Sequence, residues 1–249
     1  MALLESHVHL DGLHVRRSVI SNLARLRAFL LQRDSLLDWD EYITTALVTI
    51  PEGRHGDITG SGTIFARLAK TIGLPEENTV SNSGLHRHCG DRARNLIYFD
   101  DLAGSGEQFI NSWERHQDNQ HGRLSAANMK DKGMLKDVFY LPVVATSNGL
   151  RNIENKCKVK VLPTYELDDT YSALSPNTRL VPSRHRPYLS NFLAKYAALT
   201  ELDTHGPFGH GEVALNLSFE HGCPDNTVPI MRWGTPTATW TPLISPEGM

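Results

Sequence analysis

The sequence predicts an α/β fold: a parallel sheet with N-terminal helices and a C-terminal strand that leads into an extended segment. Three observations carry this expectation. Residues 96–99 (Leu-Ile-Tyr-Phe) are an apolar run of β-favouring side chains, and Phe109, Ile110 and Trp113 follow at helical spacing. Residues 138–146, 147–156 and 158–162 read strand, helix, strand, the rhythm of parallel winding. The chain has 249 residues and 40% hydrophobic content, enough for a packed core.

Taken in order, residues 1–15 hold Glu5, His7, His9 and Asp11 and read as a His-rich surface arm. Residues 16–32 predict an amphipathic helix, with Val19, Ile20, Leu23, Leu26, Phe29 and Leu30 in phase. Residues 38–49 predict a second helix through Trp39, Tyr42, Ile43, Ala46 and Leu47. A loop from Pro51 to Asp57 leads to Thr59-Gly60-Ser61-Gly62-Thr63 and a helix over 64–72, closed by Gly73 at its C′ position. Residues 78–90 are polar. Arg87, His88, Arg92 and Arg94 precede the strand at 96–99 and read as solvated. Residues 118–136 are helix-compatible. Pro142 in the next strand predicts an edge position or a strand end. Glu166, Asp168 and Asp169 read as a loop or cap. A further helix is expected over 188–199 and a strand over 213–219. The natural division is an arm and helical flank over 1–54 and an α/β domain over 55–249.

A net charge of -3 gives no bulk attraction to nucleic acid, so direct nucleic-acid binding is not indicated. No run of about 18 apolar residues occurs, so no membrane span is expected. Cys89, Cys157 and Cys223 are scattered, with no C-x-x-C pair, which fits a reducing cytoplasm rather than a disulfide framework or zinc knuckle.

The chemistry-bearing stretch is Asn95 to Gln108. Two carboxylates, Asp100 and Asp101, end the strand. Ala103, Gly104, Ser105, Gly106, Glu107 and Gln108 then turn into a helix. Helix-start N–H groups lack intrahelical partners and sit at the positive end of the dipole, so they attract anions. The acids suit sugar hydroxyls or a divalent metal. Gly60, Ser61 and Gly62 form a second candidate anion seat, without the Lys-Ser/Thr of a Walker A loop.

Asp100-Asp101 followed by Gly104-Ser105-Gly106 resembles the ribose-phosphate motif of type I phosphoribosyltransferases. In that family a Thr usually stands where this chain has Gln108. The C-terminal part adds a Gly-rich turn (206–211), a strand, Pro224-Asp225-Asn226-Thr227 and a closing Trp240-Thr241-Pro242-Leu243. Together these resemble the divergent phosphoribosyltransferase-like domains of bacterial conflict and antiphage systems, where Gln at position 108 is the expected residue. The resemblance spans roughly 55–245. It implies a type I phosphoribosyltransferase sheet, phosphoribosyl pyrophosphate (PRPP) or a nucleotide as ligand, Mg²⁺ with the ligand's phosphates, and protein partners encoded in the same defence operon. It also implies that Asp100 and Asp101 hold the ribose hydroxyls, directly or through Mg²⁺, that residues 103–108 hold the 5′-phosphate, and that residues 60–62 serve pyrophosphate. Asn226 and Trp233 are the first residues to consider for an acceptor base.

Three other readings compete. The same fold can serve as a non-catalytic nucleotide sensor, or as an interaction module of a defence complex. His7-Val8-His9, with His210 and Glu212 later, also looks like the opening His-x-His of metal-dependent amidohydrolases. Those enzymes are (β/α)8 barrels of about 250 residues or more, and Glu212 leaves no room for the strands that should follow.

Overall fold

The computed structural model describes residues 2–52, 60–89, 92–119, 122–200, 206–232, 234, 240–242 and 244. Its principal elements are β1 (Val8–Leu10), α1 (Gly12–Arg33), α2 (Trp39–Thr45), β2 (Leu47–Thr49), α3 (Gly60–Thr71), β3 (Arg94–Ala103), α4 (Glu107–Glu114), β4 (Leu135–Thr146), α5 (Ser147–Cys157), β5 (Lys160–Val161), α6 (Arg186–Ala197) and β6 (Leu217–Phe219). They fall into two compact units, one of residues 16–145 and 149–165, the other of residues 1–15, 146–148 and 166–249.

The first unit is an α/β layer built on a parallel sheet in the order β2-β3-β4-β5. β3 is nearly continuous in hydrophobicity because both its faces are covered. One face, with Leu96, Tyr98, Val138 and Tyr140, packs against Phe109, Ile110 and Trp113 of α4 and Ile153 and Cys157 of α5. Phe109 stacks on Tyr140 at 4.3 Å between ring centroids and meets the Tyr98 ring edge-on at 5.0 Å. Each such fully buried side chain contributes about 1.5–3 kcal/mol. On the other face Phe29 of α1 meets Phe139 edge-on at 5.9 Å.

Several expectations are corrected here. Residues 47–49 are a strand, not the end of a helix. Asp38 caps α2 by accepting from the N–H groups of Asp40 and Glu41, and the helix stops at Thr45 so that Leu47–Thr49 can pair with Leu96–Tyr98. Pairing with a central strand overrides the helical spacing of Ala46 and Leu47. Pro142 lies inside β4, opposite Asp100, rather than at an edge or end. Its carbonyl faces the β5 side and accepts from Asn22 Nδ2 at 2.9 Å and Thr164 N at 3.4 Å. The missing N–H points the same way, toward residues 162–164, so the bonds that pair β4 with β3 are untouched. Residues 117–119 and 122–124 pair as short antiparallel strands and 126–131 form a short helix, not one long helix. Gly73 does close α3, at φ +89.

The second unit contains β1 and β6, paired in parallel, and α6, which opens with Pro187 in its first turn. Leu189, Leu193 and Ala197 of α6 join Ala173, Leu180, Val228 and Met231 in its core. His7 and His9 therefore do not lie on a free arm: the paired strand and side-chain bonds to Asn216 and Ser218 fix them. Asp168 is a cap, as expected, accepting from Thr170 N at 3.0 Å.

Candidate functional site

β3 runs through the acid pair and ends at Ala103, so Asp100 and Asp101 stand within the strand rather than after it. Asp100 is 2% exposed, whereas Asp101 is half-buried. Tyr140 Oη donates to Asp100 Oδ2 at 2.7 Å, and the N–H of Asp101 donates to Asp100 Oδ1 at 2.9 Å. Burial pushes the Asp100 carboxyl well above the usual range. The charge of Asp101 pushes it further, and a side-chain hydrogen bond with Asp101 acts in the same direction. The bonds from Tyr140 and from the Asp101 N–H pull the other way and lose. Two adjacent carboxylates cannot both ionise cheaply away from water. Burial and the neighbouring carboxyl therefore disfavour the charged form of Asp100.

The turn Gly104-Ser105-Gly106 connects β3 to α4. Gly106 adopts φ +83, a left-handed conformation that a Cβ would strain. The loop is clamped from α5. A Cβ on Gly149 would lie 2.2 Å from Gly104 O and 2.6 Å from Ala103 O, so only glycine fits there. Asn152 Nδ2 donates to Ser105 O at 3.1 Å. The Ser105 hydroxyl accepts from Glu107 N at 3.3 Å, which leaves its O–H available to donate. The eight-residue helix α4 thus begins on a rigid turn directly after the acid pair. Glu107 and Gln108 are exposed at its first turn.

Other candidates fare differently. Gly60, Ser61 and Gly62 form the first turn of α3 itself, not a loop before it. The residues leading into them, 53–59, and Trp233 lie outside the described residues. Asn226 donates to His210 O at 2.8 Å and serves its own loop. Arg94 donates to Thr45 O and to Asn78 Oδ1, tying α2 to the start of β3, far along the strand from the acids. A cavity of about 490 Å³ opens near the starts of β4 and β5, lined by Phe29, Trp113, Lys156 and Lys158, and no residue of the acid motif lines it. Among the described residues no group of three or more His, Cys, Asp or Glu could hold a metal. No helix among them is long and apolar enough to cross a membrane.

Sequence reasoning missed Tyr140, Gly149 and Asn152. Gly149 carried the one readable signal: a glycine inside a helix's first turn often marks close backbone approach.

A parallel α/β sheet whose central strand carries an acid pair into a clamped Gly-Ser-Gly turn and a helix is the arrangement of a phosphoribosyltransferase-like protein. The chain belongs to the PRTase-CE family, whose model matches residues 1–245. No curated protein matches it. Among solved structures, orotate phosphoribosyltransferase from Aeropyrum pernix is similar at 15% identity and a TM-score of 0.30, over 51% of this chain and 62% of that one.

Proposed function

We propose that the protein binds PRPP, or a nucleotide sharing its ribose 5-phosphate, at the turn after β3. The observation that carries this is the Gly149 clamp. It holds Gly104–Gly106 rigid at the start of α4, so backbone donors are pre-set for a phosphate and pay little ordering cost on binding. Asp101, the more exposed acid, is the group that meets the ribose hydroxyls or Mg²⁺. Asp100 acts as a positioning residue, holding Asp101 through its N–H and its carboxyl. One carboxylate is a sparse ligand set for a metal. It fits Mg²⁺, which takes one or two carboxylates and completes its shell with substrate phosphates and water.

In a transfer reaction the anomeric carbon gains positive charge as pyrophosphate leaves. The protein's part is positioning and charge stabilisation. Mg²⁺ neutralises the leaving group when bound. The sensor reading uses the same seat without turnover. Pyrophosphate release from PRPP, assayed with a panel of nucleobases, separates the two. Thermal protection by PRPP with Mg²⁺, absent with ribose alone, supports the shared binding step, and its absence with every phosphoribosyl ligand rejects both. The antiphage role rests on the motif resemblance. Phage plating on a host carrying the gene and its neighbours, against an Asp101→Asn variant, tests it.

A further inference from the structure

The unit holding β1 and β6 contains a second constellation, sharing no residue with the turn after β3. The strands align His9 with Ser218. Ser218 Oγ lies 2.8 Å from His7 Nε2 and 2.9 Å from His9 Nδ1. His7 Nδ1 lies 2.9 Å from Asn216 Oδ1. Asn216 Nδ2 in turn donates to Leu3 O at 2.6 Å and to Ser6 Oγ at 3.2 Å.

The direction of every bond follows from its terminus. Leu3 O can only accept, and it also takes the Ser6 hydroxyl proton. That fixes the Asn216 amide with its nitrogen toward residues 3 and 6 and its oxygen toward His7. An amide oxygen accepts, so His7 carries its proton on Nδ1, and in the neutral ring Nε2 is bare. Ser218 therefore donates its hydroxyl proton to His7 Nε2. The lone pairs left on Oγ accept from His9 Nδ1–H. A hydroxyl aimed at an imidazole whose far nitrogen is held by a third polar group is the geometry of an activated nucleophile. The parallel ladder already pairs the two strands, so strand pairing alone does not require this relay.

We infer that Ser218 is a nucleophile toward acyl esters, with His7 as its general base and Asn216 as the positioning residue that sets the tautomer. Oγ attacks the ester carbonyl carbon while its proton passes to His7 Nε2. The ester C–O bond breaks and the departing alkoxide takes that proton, leaving an acyl–Ser218 ester and neutral His7. Water then attacks the acyl carbon, giving a proton to His7 Nε2. The acid product departs as His7 returns that proton from Nε2 to Oγ, while His9 Nδ1–H stays hydrogen-bonded to Oγ. Ser218 itself is only 1% exposed, and His9, which is exposed, is the member nearest solvent.

The test uses the full chain with a fluorophosphonate probe, read by intact mass and peptide mapping, and p-nitrophenyl acetate as the ester. One adduct per chain on Ser218 is expected. His7→Gln should slow labelling by about a hundredfold or more, in line with loss of a general base. Asn216→Asp should retain labelling, whereas Asn216→Leu loses it, with folding checked by circular dichroism. Absence of a Ser218 adduct in the folded wild-type chain overturns the inference. So does an undiminished rate in folded His7→Gln, because a purely structural network would not produce a His7-dependent adduct.

Discussion

Tyr140 donates its hydroxyl to Asp100 Oδ2 at 2.7 Å inside the parallel sheet, so one acid of the motif is a buried, hydrogen-bonded carboxyl. Tyr140→Phe leaves that oxygen without its donor and should cost about 1–3 kcal/mol. Chemical denaturation measures this directly. Unchanged stability would mean that the bond contributes nothing.

The same carboxyl predicts a pH dependence. Burial raises the Asp100 carboxyl in the folded state well above its ordinary value of 3.8. Above that pH the folded state binds more protons than the unfolded state at this site, so its contribution to stability falls as pH rises. The penalty is absent below about pH 4 and grows upward from there. Asp100→Asn removes the titration while keeping an acceptor for the Asp101 N–H. It should raise the melting temperature at pH 7 and lose that advantage as pH approaches 4. An equal gain at both pH values would contradict the assignment.

Gly149→Ala brings a methyl within 2.2 Å of the Gly104 carbonyl. The backbone must shift, which should destabilise by about 1–3 kcal/mol. It should also weaken phosphate binding at the turn. Wild-type affinity for PRPP in a folded Gly149→Ala variant would show that the clamp does not set the seat.

Glu107 places a carboxylate at the first position of α4, beside the proposed phosphate. Glu107→Gln should tighten PRPP about two- to fivefold at low salt, matching the 0.3–1 kcal/mol of a charge near a helix terminus. The gain should shrink at high ionic strength as screening shortens its reach. Competition titrations at two salt concentrations measure both.

The thiols offer a further check. Burial raises Cys89 to about 11 and Cys157 to about 12, and Cys223 also rises to about 11. Thiolates are the reactive form. The native protein should therefore react slowly with Ellman's reagent at pH 8, and all three thiols should appear on denaturation.

The motif strand was legible because Leu96 to Phe99 is apolar on both faces and leads into two acids and a Gly-Ser-Gly turn. Apolar spacing also marked α1, and Gly73 marked the end of α3. Leu47–Thr49 was hidden, because it continues the spacing of the preceding helix and only pairing with β3 reveals it. The start of α3 at Gly60 was hidden too, since helix propensity argues against two glycines in a first turn. The Gly149 clamp, the Tyr140 bond to Asp100 and the pairing of residues 8–10 with 217–219 join positions remote in sequence. No local pattern encodes such contacts. The upward shift of the Asp100 carboxyl depends on burial, which the Asp-Asp dipeptide alone does not report.

The most direct measurement is calorimetric titration of PRPP with Mg²⁺ into the wild-type chain, Asp101→Asn and Asp100→Asn. One site per chain is expected, weakened at least tenfold by Asp101→Asn and less by Asp100→Asn. Undiminished binding in Asp101→Asn, or no heat from PRPP in the wild type, would contradict a ribose 5-phosphate seat at the turn after β3.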